Sequence, residues 1–136
     1  IMAYGKGTIE LNEVPVGVVV PEPVVELARF TMGHHKTSQM LYNGLLLKAE
    51  EAKDFGLVDE ACKEEELMLW AETKLKKWMA MPRDPWKFAK RSVNQPLVDT
   101  LKGMSLEDGF EHTLKSWWDS ENRAQVGKLV KKLTGK

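Results

Sequence analysis

The stretch Ile9–Pro21, IELNEVPVGVVVP, decides how the rest of the chain is read. A carboxylate, Glu13, stands at the mouth of a valine run (Val14, Val16, Val18, Val19, Val20) interrupted by Pro15 and Gly17. Just upstream, GTIELNE alternates in the manner of a strand, with Ile9 and Leu11 on one face. That strand has to stop by Pro15, which has no backbone donor. Glu13 therefore falls where a strand gives way to a loop. It either turns into water there, as most glutamates do, or is held partly dried against the valines. A partly dried carboxylate is the kind of group that takes a proton and returns it near neutral pH. The residues alone leave both possibilities open.

Working outward, GLVDEAC (Gly56–Cys62) is a second short strand candidate, and most of the remainder reads as helix. Pro21 and Pro23 suit a helix start, Val24, Leu27, Ala28 and Thr31 follow at helical spacing, and Gly33 ends the segment. KTSQMLYNG predicts a short helix capped by Thr37 or Ser38 and closed at Gly44, and KAEEAKDFG predicts another that ends at Gly56. From Lys63 to Met81 one apolar stripe (Leu67, Trp70, Leu75, Trp78, Met79) runs at steps of three and four, with Glu72 and Lys76 as an i,i+4 pair. Asp84-Pro85 opens a helix expected to stop at Asn94 or Gln95, before Pro96. Ser105 with Asp108 resembles a capping box, and helical spacing then continues through Phe110, Leu114, Trp117 and Trp118 and from Val126 to Leu133. Two lone strands make a marginal sheet in water. They are expected to belong to a sheet whose other strands lie outside this sequence, and the opening IMAYGKGTIE is not expected to be a natural start.

Length and composition narrow the function classes. With 136 residues the chain is one domain or part of one, and 20 basic residues balance 20 acidic ones. No broad pull toward nucleic acid or an anionic membrane follows. Cys62 is the only cysteine, so no intrachain disulfide forms, and it reads as a small half-buried hydrophobe. No apolar run approaches the ~18 residues of a membrane helix. Phosphate-loop, paired-cysteine and nucleophile-elbow motifs are missing from the sequence. His34 and His35 are neighbours, diverge on a helix, and make a metal site a poor reading. The five Trp and seven Met residues fall mostly on helical stripes and suit a core or a subunit interface. Lys128, Lys131, Lys132 and Lys136 form a basic end, read either as a solvated helix terminus or as a phosphate-binding group.

The same residues carry a resemblance. IMAYGKGTIELNEVPVGVVVP followed by LLLKAEEAKDFGLVDEAC resembles the C-terminal half of the crotonase (enoyl-CoA hydratase/isomerase) superfamily. The triplet Leu11-Asn12-Glu13 and the segment KKWMAMPRDPWKFAKRSVNQ are similar to the mitochondrial Δ3,Δ2-enoyl-CoA isomerase branch. The resemblance implies an α/β protein built on the ββα spiral, of which this chain is a mostly α-helical portion with one or two short strands. Residues 1–62 would be the end of the spiral core with the glutamate-bearing strand, and residues 63–136 a helical oligomerisation region. Glu13 would be the acid and base that moves a proton between C2 and C4 of a 3-enoyl-CoA. Asn12, Val14, Val16 and Val18 would wall the pocket, and Lys131 and Lys132 would reach coenzyme A. No metal and no cofactor beyond the coenzyme A of the substrate are implied. Implied partners are an acyl-CoA substrate and further copies of the chain, as a homotrimer or other homo-oligomer, with neither nucleic acid nor a membrane span. The compartment implied is the mitochondrial matrix, with the peroxisome as alternative. The family's enolate-stabilising N–H groups and most of its coenzyme A site come from the half that precedes Ile1, so the chain by itself is expected to be inactive. Two other readings stand beside this one: a hydratase or another crotonase chemistry, and a non-catalytic helical assembly fragment.

Overall fold

The computed structural model describes residues 1–135, with the side chains of residues 106, 132 and 133 outside that description. The elements, in order, are β1 (Met2–Ala3), β2 (Ile9–Glu10), a 3-10 turn (Val14–Val16), α1 (Glu22–Asn43), β3 (Leu46–Leu47), α2 (Ala49–Phe55), β4 (Ala61–Cys62), a second 3-10 turn (Glu64–Glu66), α3 (Leu67–Met79), α4 (Arg83–Lys102), α5 (Leu106–Trp118) and α6 (Ser120–Thr134). Helix dominates, and β1 pairs with β4 and β2 with β3. The chain divides into two compact units. One holds Ile1–Ile9 and Leu47–Lys102, the other Glu10–Leu46 and the segment from Gly103 onward.

In the first unit β1 and β4 run parallel, Met2 opposite Ala61 and Ala3 opposite Cys62. The pair is extended by Met2 N–H donating to the Glu60 carbonyl (3.0 Å) and Tyr4 N–H to the Cys62 carbonyl (2.8 Å). Helix α2 packs on β4, and Ala3, Leu47, Ala49, Ala52 and Cys62 are buried. All but Leu47 are small side chains, which suits the close packing of the seven-residue α2 on the two-residue β4. The apolar stripe of α3 is largely open to water: Trp70 is 44% and Met79 75% exposed. Trp78 and Trp86 lie 6.5 Å apart, centroid to centroid. Helix α4 does not stop before Pro96 as expected but runs through it to Lys102. Ser92, whose carbonyl loses its helical partner to that proline, is exposed to water. The turn beyond is reinforced by Thr100 Oγ1 donating to the Pro96 carbonyl (2.9 Å) and by Gln95 with Asp99 (2.7 Å).

Ion pairs tie this unit's surface, and the two shortest perturb their own groups. Asp59 accepts from Lys74 Nζ at 2.6 Å, and Lys53 Nζ donates to Glu60 at 2.6 Å. The hydrogen bond from Lys74 holds the Asp59 carboxyl below its ordinary value. The hydrogen bond to Glu60, helped by that carboxylate's charge, raises the Lys53 ammonium above its own.

In the second unit α1 is kinked at Gly33, whose φ of 80° and ψ of 164° are non-helical. That backbone region is almost reserved for glycine. The second limb resumes at once, so the expected caps Thr37 and Ser38 lie within the helix. Thr37 Oγ1 donates to the Gly33 carbonyl (2.8 Å) and Ser38 Oγ to that of His34 (3.0 Å). Ala28, Met32, Thr37, Met40 and Leu41 are the buried face of α1. Ser105 caps α5 as expected, accepting from Asp108 N–H (3.2 Å). Asp119 then breaks the chain and caps α6 through the N–H groups of Glu121 and Asn122. Helix α5 packs on α6 and on α1. The two strand expectations shrink: within GTIELNE only Ile9–Glu10 pairs, and within GLVDEAC only Ala61–Cys62.

Unfolding of the whole protein by urea tests the kink. Gly33→Ala is expected to cost about 1–3 kcal/mol, because an L residue is strained in that region. Gly127→Ala, in the α6 interior with nothing near its added methyl, is expected to stabilise by about 0.5–1 kcal/mol. Because the Asp59 carboxyl is lowered, its pair with Lys74 stabilises above the unfolded carboxylate range and is lost as the pH falls through it. Asp59 is well exposed, so Asp59→Asn is expected to cost only about 0.2–1 kcal/mol at neutral pH and nothing at strongly acid pH.

Candidate functional site

Glu13 occupies the N-cap position of the turn Val14–Val16, with helical φ and ψ of −63° and −44°. Pro15 sits in the first turn, where its missing donor has no helical partner to lose. The Glu13 carbonyl accepts two backbone donors, Val16 N–H at 3.1 Å and Val18 N–H at 2.9 Å. Gly17 closes the turn at φ 79°, its N–H donating to the Val14 carbonyl (3.0 Å). A side chain there would collide with Asn122 Oδ1. Past Gly17 the chain reverses and buries Val18.

The carbonyl of Glu13 is thus used twice while its side chain is not engaged. The carboxylate makes no cap bond to its own turn. Among the described residues, Glu13 Oε2 is a buried side-chain oxygen with no hydrogen-bond partner. A buried polar atom without a partner is costly, and proteins keep such atoms where they serve chemistry. The oxygen has lone pairs free and no internal donor competing for them.

Beside the turn lies an apolar groove of about 410 Å³, lined by Val14, Gly17, Val18, Val19, Val20, Val25, Leu41 and Tyr42. Of the residues named from the sequence, Val14 and Val18 line it, whereas Val16 is half-buried and outside the lining. Asn12 is also outside it, its amide donating to Glu10 at 2.9 Å. Lys131 is exposed near the end of α6, and the Lys132 side chain and Lys136 lie outside the described residues. Val25 and Leu41, which also line the groove, were not singled out from the sequence. Ser116 and Asn122, which reach the turn from α5 and α6, carried no sequence signal. Ser116 Oγ accepts Val19 N–H at 3.0 Å across 97 residues of chain.

Among the described residues, no group of three or more His, Cys, Asp and Glu could hold a metal ion. Helices long and apolar enough to cross a membrane are also missing from them. His34 and His35 are exposed and Cys62 is buried. What the turn offers is one unpaired carboxylate oxygen next to an open apolar groove whose lining begins at Val14 and does not include Glu13 itself, an arrangement suited to moving a proton on a partly apolar ligand.

Comparison with known proteins gives this geometry a context. The family model described as enoyl-CoA hydratase/isomerase matches residues 1–122. Mitochondrial enoyl-CoA delta isomerase 1 of Mus musculus is 31% identical over 96 residues, covering 71% of this chain and 33% of the mouse protein. The Homo sapiens protein of that name is 34% identical over 93 residues, covering 68% of this chain and 31% of its own. The crystal structure of human mitochondrial delta3-delta2-enoyl-CoA isomerase matches with a TM-score of 0.80 at 24% identity, over 99% of this chain and 53% of that one. An enoyl-CoA hydratase/isomerase from Pseudoalteromonas atlantica matches with a TM-score of 0.74 at 17% identity. The fold is therefore that of the crotonases, and the chain spans about a third of the length of the curated relatives it matches.

The unpartnered oxygen makes a prediction that needs no activity. Glu13→Gln takes the formal charge off a half-buried carboxylate whose Oε2 is buried and unpartnered, so the variant is expected to be more stable than the parent at neutral pH. A gain of about 1 kcal/mol in urea unfolding is the scale for relieving such a site. A loss of stability would mean that the carboxylate is satisfied in the folded protein.

Proposed function

The chain belongs to the enoyl-CoA hydratase/isomerase family, and we propose that the protein carrying it is a Δ3,Δ2-enoyl-CoA isomerase in which Glu13 is both acid and base. The observation that supports this most directly is the buried, unpartnered Oε2 of Glu13. The isomerisation asks for one carboxylate serving two carbons. Glu13 removes a proton from C2 of a 3-enoyl-CoA, and the electron pair of that C–H bond becomes a thioester enolate. The same proton is then delivered to C4, and the double bond comes to rest between C2 and C3, conjugated with the thioester. No redox partner is needed, and coenzyme A enters only as part of the substrate.

The chemistry sets the demands on the site. The base must stand over the C2–C4 plane, which the rigid turn favours by fixing the backbone of Glu13 at two hydrogen bonds. Water must be kept from the carboxylate, which the valines of the groove favour. The enolate oxygen must meet two fixed N–H donors; in the family these come from its N-terminal half. The finer points of the proposal are fatty-acid β-oxidation as setting, the mitochondrial matrix as compartment and a homotrimer as assembly. The mitochondrial names of the relatives support the compartment. The exposed apolar faces of α3 and α5, with Met79 at 75% and Trp118 at 69%, support self-association. Asn12, Val16, Lys131 and Lys132 remain proposed contacts to the substrate.

An assay on the whole protein that follows formation of the conjugated thioester from a 3-enoyl-CoA tests the role of Glu13. Glu13→Gln is expected to lower kcat by about 10²–10⁴-fold, the range for losing a general acid–base, with KM little changed. Turnover close to that of the parent would sink Glu13 as the proton carrier.

A further inference from the structure

The turn that carries Glu13 is held from the far end of the sequence, and the way it is held points to a residue that sets the position of the base. Val19 N–H donates to Ser116 Oγ at 3.0 Å. The Ser116 hydroxyl passes its own hydrogen to the Thr113 carbonyl at 2.8 Å. The hydroxyl therefore uses its single donor on its own helix and keeps a lone pair for the loop. The main-chain carbonyl of Ser116 accepts Asn122 Nδ2 at 2.9 Å. Asn122 Oδ1 in turn lies against Gly17, so closely that a side chain at that position would collide with it. Both ends of Ser116 are committed. Its hydroxyl grips the segment leaving the turn, and its carbonyl orients the amide against which the turn rests.

The grip reaches Glu13 through short, stiff steps. Gly17 and Val19 belong to the reversal that the Glu13 carbonyl closes by accepting from Val16 and Val18. Val18 between them is buried. The turn packs against both α1 and α6. A shift at Val19 therefore cannot be absorbed by a loose loop and is passed to the residue whose carbonyl anchors the reversal. We infer that Ser116 is a positioning residue for Glu13: the α5–α6 corner sets where the carboxylate stands, without itself touching the reacting atoms. This inference rests on the proposed role of Glu13 and adds to it a residue from another part of the chain.

The test separates the two. In the whole protein, Ser116→Ala is expected to lower kcat about 10- to 100-fold, the scale for a base displaced by a fraction of an ångström to one ångström. KM is expected to stay within about 2-fold, since ground-state binding of the substrate does not pass through the clamp, whereas the transition state depends on where the carboxylate stands. Ser116→Thr keeps an acceptor oxygen at the same place on the helix and is expected to restore the parent rate. Should Ser116→Ala fail to fold, Ser116→Cys replaces it as the weak-acceptor variant, expected to fall clearly below Ser116→Thr. An unchanged kcat in Ser116→Ala, or equal rates for Cys and Thr, would overturn the inference. In a Glu13→Gln background, Ser116→Ala is expected to cost nothing further, because the clamp acts through the carboxylate. The same fold loss in that background would overturn the positioning role while leaving Glu13 as base, whereas full activity in Glu13→Gln alone would overturn the role of Glu13 itself. Amide exchange at Val19 supplies a readout free of activity: protection in the parent that is lost in Ser116→Ala supports the clamp, and rapid exchange in the parent overturns it.

Discussion

The second compact unit of the chain is organised around a carbonyl oxygen that accepts two hydrogen bonds. The Glu13 carbonyl takes the N–H groups of Val16 and Val18, and that closure fixes three things together. It reverses the chain after the short strand Ile9–Glu10, turns the valines to line a groove, and leaves the Glu13 side chain with no part in its own turn. A glutamate at the start of a helical turn would ordinarily lend its carboxylate to free N–H groups or point into water. Here the proline in the first turn removes a donor that such a cap could have used. The combination VPVG thus does two jobs, shaping the turn and keeping the carboxylate free.

That freedom sets what the rest of the unit has to do. An unpartnered buried oxygen works against the folded state. It persists only where the backbone around it is over-determined. The over-determination is visible. Pro15 presses on Gly44 at the end of α1, Asn122 presses on Gly17 from α6, and Ser116 holds Val19 from α5. Three helices meet one short turn, and each contributes one small-scale contact. Proton transfer is sensitive to placement at the sub-ångström level, so this concentration of restraints is chemically apt for a base, whereas a surface carboxylate would have no use for it.

How much of this the sequence disclosed depended on the range of the interactions. The turn was legible, because Pro15 and Gly17 act within four residues of Glu13 and their conformational limits are intrinsic. The caps at Ser105 and the stop at Gly56 were legible for the same reason. The helix through Pro96 was not, since the proline rule assumes a buried or competing backbone and α4 is exposed there. The resumption of α1 after Gly33 was missed because a glycine stop and a glycine kink look alike in sequence. Leu11 and Asn12 kept the strand pattern without finding a partner, so alternation marked a face but not a ladder. Ser116 and Asn122 were beyond reach altogether: one serine and one asparagine on helices distant in sequence carry no periodic signature, and only the folded geometry pairs them with Val19 and Gly17. The family resemblance put Glu13 forward as a candidate base, while saying nothing about what holds it in place.

The long separation has an energetic meaning of its own. A bond across 97 residues closes a loop whose entropy cost rises slowly with length but far exceeds what one backbone-to-hydroxyl hydrogen bond contributes. The Val19–Ser116 bond therefore cannot assemble the unit. It forms because α5 is already packed on α1 and α6, and its own contribution is directional. Packing brings the α5–α6 corner near the turn, and the hydrogen bond then selects one register out of the several that apolar valines alone would tolerate. Burial supplies the stability of the site, and polar contacts supply its geometry. The Glu13 turn joins the two: apolar side chains line the groove, while the Glu13 and Val14 carbonyls and the N–H groups of Val16 to Val19 are held by hydrogen bonds.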